Sequence, residues 1–254
     1  MNESEKIANA QYFEGMTSIR AVLKGAELGI NDRNIEKIYY DSAQIKSKAR
    51  ELSYLKKMAT IHNFEIEYID RKTIDRMCVG TSHGGVIAKC GDRTFSSALP
   101  SSLEDKKFFV MLDGIEDPFN FGYSLRSLYA FGIDGLILPE RNWMSAAPIV
   151  CRSSAGASEL CQIYSVDPDI AVDHFKALGA SVIATAKENS RSISEIDIKF
   201  PLLLIVGGEK RGISKKTLAK ADHIARIDYS RNFMCSLSAA SAAAILGYEI
   251  SKYL

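Results

Sequence analysis

The stretch Leu202–Asp228 reads LLLIVGGEKRGISKKTLAKADHIARID, and its reading decides the fold class. An apolar run from Leu202 to Val206 stops at Gly207 and Gly208. Glu209 follows, then Lys210, Arg211 and Gly212. A short apolar run closed by glycines and followed by a charged helical segment reads as a buried strand, a turn and a covering helix. Turns of this kind hold nucleotides in many α/β proteins, but two common versions fail here on spacing. A Walker loop needs Lys and then Ser or Thr directly after its second glycine. Gly207 and Gly212 have the right separation, yet Ile213 and Ser214 follow. A dinucleotide fingerprint needs three glycines as G-x-G-x-x-G, and that set is absent.

Strands and helices alternate around this stretch. KFFVMLDGI (107–115) is expected as a buried strand, NFGYSLRSLYAFG (120–132) as a helix and IDGLILPE (133–140) as a strand. SAAPIVCRSSAGASEL (145–160) is partly helical, DPDIAVDHFKALG (167–179) a helix and ASVIATA (180–186) a strand. After the opening stretch, SLSAASAAAILGYEISKYL (236–254) is a long helix of small residues, started by Ser236 and Ser238. The alternation predicts an α/β domain with a parallel sheet covered on both faces. Ligands on such sheets sit at the carboxyl ends of the strands, which singles out the loops after Ile115, Val206 and Ile227.

Further upstream the pattern is shorter. TSIRAVLKGAELG (17–29) and SKARELSYLKKMATIHN (47–63) read as helices, with RKTIDRMC (71–78) a shorter one. IEKIYYD (35–41), FEIEYID (64–70) and GGVIAKC (84–90) read as strands. SSALPSSLEDKK (96–107), rich in Ser with a Pro, is the expected linker. With a boundary near residue 104, residues 1–104 form a small αβ sandwich and residues 105–254 the second domain.

Bulk composition restricts the function classes. The 254 residues are 46% hydrophobic and 25% charged, an ordinary globular balance. A net charge of +1 leaves nucleic-acid binding to local basic clusters. Cys78, Cys90, Cys151, Cys161 and Cys235 are odd in number and form no C-x-x-C pair. That argues against a zinc ribbon or disulfide scaffold and for a reducing, cytoplasmic setting. MNESEKIANAQYFEG at the start has no apolar core of a signal peptide. The longest apolar runs are too short to span a membrane.

Each of the three loops has two readings. In DGIEDPFNFGYSLRS, Asn120 is expected in the turn leaving a strand, with Gly122 permitting a tight backbone and Arg126 on the first helical turns. A folded-back loop would bring Asn120 and Arg126 together; alternatively Asn120 is a helix cap and Arg126 a solvated side chain. Glu209 is a site carboxylate or a solvated turn residue. Lys210, Arg211, Lys215, Lys216 and Lys220 track phosphates or line a solvated helix face. The Ala- and Ser-rich helix after Ser236 packs tightly on the sheet and also offers free N–H groups at its start.

Taken in order, the three loops resemble the three motifs of the SpoU (TrmH) family of RNA ribose 2′-O-methyltransferases, in the knotted SPOUT class. The resemblance rests on NFGYSLRS, GGEKRG and SLSAASAAA, with SSAGASE between the first two, and spans about residues 106–254. SIRAVLKGAELG and SHGGVIA, with His83, resemble the substrate-binding domain of the ribosomal-RNA members; as a residue alone, His83 reads as a turn histidine capping backbone. The resemblance implies a trefoil-knotted methyltransferase domain and an N-terminal RNA-binding domain. It implies S-adenosylmethionine as methyl donor, RNA (ribosomal in the first place) as substrate, and a homodimer paired through the knot region. By motif position, Asn120, Arg126, Glu209, Ser236 and Ser238 become the catalytic set. Thr185, Gly207, Gly208, Ile227 and Leu237 become donor-binding positions. No metal is implied.

The chain departs from the family pattern in its third motif. Ile227–Asp228–Tyr229 stands where the family usually has Ile-Pro-Met, and Ser238 where it usually has Asn. A serine keeps a donor and an acceptor but reaches less far than asparagine. A knotted RNA-binding protein with weak catalysis, or a transfer-RNA methyltransferase, are therefore the alternative readings.

Overall fold

The apolar runs that read as buried strands form the centre of a seven-stranded parallel sheet, whose strands lie in the order 163–165, 135–138, 108–113, 202–207, 181–185, 223–226 and 191–192. The computed structural model describes residues 11–80, 82–105, 107–139 and 146–254. The first ten residues, on which most of the signal-peptide reading rests, lie outside these, as do Lys106, Glu140 and Ser145. By packing, the chain divides into two units: Met1–Thr94 with Asn142–Leu160, and Phe95–Arg141 with Cys161–Leu254.

In the second unit, β5 (Phe108–Asp113) and β10 (Leu202–Gly207) pair in register from Phe108↔Leu202 to Asp113↔Gly207. Their side chains are buried on both faces, which is why neither sequence alternates. The flanking strands are β6 (Gly135–Leu138), β7 (Ile163–Ser165), β8 (Ser181–Thr185), β9 (Arg191–Ser192) and β11 (His223–Arg226). The short β7 and β9 carry too few apolar residues to have been read from the sequence. Helix α4 (Pro118–Ala130) packs against α9 (Ala239–Ser251), while α7 (Pro168–Ala177) packs against α8 (Lys215–Lys220).

The segment expected as a linker is packed on this unit. Ser96 bridges to Tyr164, the His174 ring bonds the Pro100 carbonyl at 2.8 Å, and Leu103 is buried. Three lysines of the basic cluster are taken by carboxylates: Lys216 by Asp169, Lys220 by Asp173 and Lys210 by Glu116. For the first two, the solvated-face reading becomes a helix-to-helix one.

The first unit holds a four-stranded mixed sheet ordered β1-β4-β2-β3. These are β1 (Tyr12–Glu14), which went unread in the sequence, β2 (Ile35–Asp41), β3 (Glu65–Ile69) and β4 (Val86–Cys90). Helix α1 (Gly15–Glu27) buries Ile19, Val22 and Leu23, spaced for one face. Helix α2 (Ala49–His62) ends where Asn63 turns left-handed, and α3 (Arg71–Met77) starts under an Asp70 cap. Helices α5 (Ala147–Ser153) and α6 (Ala157–Leu160) belong here although their sequence lies between β6 and β7.

Gly25 fixes the approach of α6 to α1: a methyl there would sit 2.1 Å from the Glu159 carbonyl oxygen. Beside that contact, Arg33 and Glu159 form an ion pair at 3.0 Å with side chains 3% and 2% exposed. Arg33 also bonds the Gly91 carbonyl and stacks on Phe13, so its buried charge is fully engaged. His83 is buried; its Nδ1 accepts the Gly85 N–H and its Nε2 faces Asp75 at 2.8 Å, as a turn histidine should.

Candidate active site

The carboxyl ends of β8, β10 and β11 open on a cleft of about 550 Å³. Thr185, Gly207, Gly208, Ile227 and Leu237, the five donor-binding positions expected from the sequence, all line it, together with Glu209 and Ser236. Gly207, Gly208 and Gly212 put bare backbone into its wall, facing the side chains of Arg226, Tyr229 and Phe233. Gly208 is required: a methyl there would lie 2.0 Å from the Gly114 carbonyl oxygen, and its N–H donates to the Asp113 carbonyl at 2.6 Å. The loops leaving β5 and β10 are thus held backbone against backbone. Gly207 donates its N–H to the Thr185 hydroxyl at 3.3 Å, tying the third strand end to the same floor.

A smaller cavity of about 100 Å³ adjoins these loops, lined by Asn120, Glu209, Glu116, Asp117, Lys210 and Ala239 among others. Asn120 and Glu209 therefore meet at one place, but not as the sequence suggested. Asn120 is at the third position of α4, not in the preceding turn. The cap is Asp117, whose carboxylate accepts the Asn120 N–H at 2.7 Å, with Pro118 at the first helical position. The Asp-Pro pair was the overlooked signal. Gly122 lies inside the helix with no left-handed turn to make. Because Asn120 and Arg126 share one helix, no folded-back loop joins them. Six residues turn the helix by about 240°, and Arg126 is exposed and lines neither cavity.

Glu209 links the second loop to the third. Its carboxylate accepts the N–H of Ala239, the first residue of α9, at 3.0 Å. Ser238 caps the same helix by accepting the Ser241 N–H at 3.1 Å. Two of the free amides at that helix start are thereby satisfied. The helix begins after Ser238, so Ser236 stands outside it, in an extended stretch that forms one side of the larger cleft.

That stretch holds features the sequence did not announce. The Tyr229 phenol oxygen accepts the Leu237 N–H at 3.1 Å, and the Lys187 ammonium donates to the Met234 carbonyl at 3.3 Å. Asp228, in the place of the family proline, pairs with Arg226 at 2.8 Å. A Ser192 hydrogen bond, and after it Arg226, hold the Asp228 carboxyl below its ordinary range. Asp228 thus stands at the cleft wall beside the opposite charge of Arg226. Among the described residues, no group of His, Cys, Asp and Glu is arranged to hold a metal ion.

Two stretches of the chain match known families. Residues 107–248 match the model of the SpoU rRNA Methylase family, and residues 12–95 match RNA 2′-O ribose methyltransferase substrate binding. The chain is 30% identical over 176 residues to the 23S rRNA (guanosine-2′-O-)-methyltransferase RlmB of Coxiella burnetii, covering 67% of this chain and 70% of that protein. It is 28% identical to human mitochondrial rRNA methyltransferase 1, covering 93% of this chain and 71% of that protein. Among solved structures, an rRNA methyltransferase from Sinorhizobium meliloti superposes with a TM-score of 0.76 at 21% identity, covering 100% of this chain and 96% of the other. The SpoU methyltransferase AviRb from Streptomyces viridochromogenes, in complex with the cofactor AdoMet, gives 0.74 at 22% identity over 95% and 89%.

Proposed function

The chain belongs to the SpoU rRNA methylase family, and from that premise we propose that it transfers a methyl group from S-adenosylmethionine to a ribose 2′-hydroxyl of RNA, ribosomal RNA in the first place. The observation that carries the reading is the cleft at the strand ends, lined by every position expected to hold the donor. The residues fit that group. The close approach at Gly208 leaves the surrounding backbone facing the cleft, and about 550 Å³ suits a ligand of nucleoside size. Among the relatives, the Coxiella protein acts on 23S rRNA by its name.

When bound, S-adenosylmethionine supplies a methyl group carried on a positively charged sulfur. The rest of the task is positioning. Gly207, Gly208, Ile227 and Leu237 offer backbone groups to the donor, and Thr185 steadies Gly207. The 2′-hydroxyl is a poor nucleophile and loses its proton as the bond forms. Arginine stays charged in proteins, so Arg126 serves as the cation on the neighbouring phosphate and on the developing alkoxide. Asn120 orients the ribose in the smaller cavity. Glu209 holds the start of α9 against that cavity, and Ser236 and Ser238 complete the site.

The first unit binds the RNA and the second forms the knotted transfer domain, a division that departs from the expected boundary near residue 104, in a cytoplasmic protein whose five cysteines form no disulfide. The chain works as a homodimer. Phe119 and Tyr123 on α4 and Ile245 and Tyr248 on α9 are exposed apolar side chains, and this surface pairs the copies. Arg126 lies on the same exposed side of α4, so pairing carries it towards a second copy.

One observation favours the second reading, an RNA-binding protein with weak catalysis: the Leu237 N–H is already taken by Tyr229. Calorimetric titration with S-adenosylmethionine separates the two. Binding near micromolar, about 8 kcal/mol, followed by methyl transfer to ribosomal RNA at a ribose 2′-oxygen, is the expected result. No binding with or without RNA would reject the enzyme reading.

A further inference from the structure

The first unit contains a cavity of its own, of about 280 Å³. It lies where the start of α1 (Gly15 to Ser18), the turn Ser82–His83–Gly84, Lys48 at the start of α2, and Arg152 of α5 come together. We propose that this cavity receives one unpaired nucleotide of the RNA, with its phosphate on Lys48 and Arg152 and its base against Met16 and Val86. The inference rests on the RNA reading above and adds to it a site separate from the methyl-transfer cleft.

Two cations face the cavity, each near a carboxylate that has other partners: Arg152 by Glu14 and, more loosely, Lys48 by Glu51. Glu14 accepts the N–H groups of Val79 at 2.8 Å and Gly80 at 3.0 Å through one oxygen, and Arg152 at 2.8 Å through the other. Glu51 accepts the Tyr40 phenol at 3.4 Å. Arg152 is held in place by Glu14 and by the Ser82 hydroxyl at 2.6 Å. Both terminal nitrogens of its guanidinium are thus anchored while the residue still borders the cavity. Lys48 donates to the Gly84 carbonyl, yet its side chain is 36% exposed and its contact with Glu51 is a loose 4.0 Å. An ammonium has three donors, so Lys48 can keep the turn and take a phosphate oxygen.

The wall is thin where it matters. Gly15 and Gly84 take positive φ angles of 79° and 63°, and neither presents a side chain. Glu14 precedes α1 but gives it no side-chain cap, its carboxylate being spent on Val79, Gly80 and Arg152. The volume is near the lower limit for small-ligand pockets, about 300 Å³, so a single nucleotide enters and a duplex does not. Single-stranded RNA offers such a splayed base. Lys46 and Arg50, both exposed, flank Lys48 and extend the positive edge along the strand's path.

The test uses the full chain and a fluorescein-labelled stem–loop RNA with an unpaired loop, beside a blunt duplex of equal length. Lys48→Ala should weaken stem–loop binding and lower the slope of log K against log salt by about one. Thr17→Trp, at an exposed position on the rim, fills the cavity and should weaken the stem–loop about tenfold, a loss of about 1.4 kcal/mol, while leaving the duplex unchanged. Both variants should titrate S-adenosylmethionine as the wild type does. Wild-type binding of the stem–loop with neither variant impaired overturns the cavity and leaves the function reading standing. A wild type that binds neither RNA overturns both. If Thr17→Trp fails to fold, the salt slope of Lys48→Ala decides.

Discussion

Both units are built on an apolar core, but they fix their connections by different means. The first fixes its elements with charged side chains: Arg33 on Glu159 and Arg93 on backbone carbonyls in its interior, and the part-exposed Arg152 on Glu14. The second has apolar strands at its centre, and its loops are held by backbone against backbone, as at Gly208 and Gly114. A region that must present cations to RNA gains from side chains locked in place. A region that must cradle a small donor gains from bare amides and carbonyls. The contrast predicts that the first unit is vulnerable to loss of a charge and the second to gain of a methyl.

The largest effect should come from Glu159→Ala. It strands the Arg33 charge at 3% exposure and should cost about 3–5 kcal/mol in urea unfolding. A double variant that also replaces Arg33 with Met should recover much of the loss; failure to recover would break the buried-charge account. Arg126→Ala should remove about 3–4 kcal/mol of transition-state stabilisation and leave donor titration unchanged. Lost donor binding would place Arg126 in the cofactor cleft instead. Gly208→Ala should cost about 1–3 kcal/mol and weaken donor binding with it, since the loops after β5 and β10 must part. An alanine variant with wild-type Tm would end the backbone account. Ser238→Asn should change stability by no more than a few tenths of a kcal/mol, because Asn caps as well as Ser, while preserving or raising transfer. A large loss of transfer would show that the third motif works differently in this chain.

Much of the fold was legible, for reasons particular residues make plain. Buried parallel strands announce themselves as unbroken apolar runs, so Phe108–Leu112 and Leu202–Val206 were read without error. The shortest strands, β1, β7 and β9, were missed because two or three residues carry no periodicity. The five positions that the family resemblance assigned to the donor come together around one cleft, because they stand at strand ends and the loops that leave them. Asn120 was misplaced because Asp117 and Pro118, the true start of α4, were not weighed as a cap pair.

What the sequence determined by itself is local chemistry and its order along the chain: which runs bury, where glycine must bend or thin the backbone, and the ordered loops that identify the family. What only the tertiary structure decided is where distant residues meet. Residues 146–160 fold with the first unit although they lie between two strands of the second, so Glu159 finds Arg33. Glu209 caps a helix that begins thirty residues later, and Tyr229 takes the Leu237 amide. Such pairings follow from the closing of loops and the need of buried charges and free amides for partners, and no spacing rule along the chain encodes them.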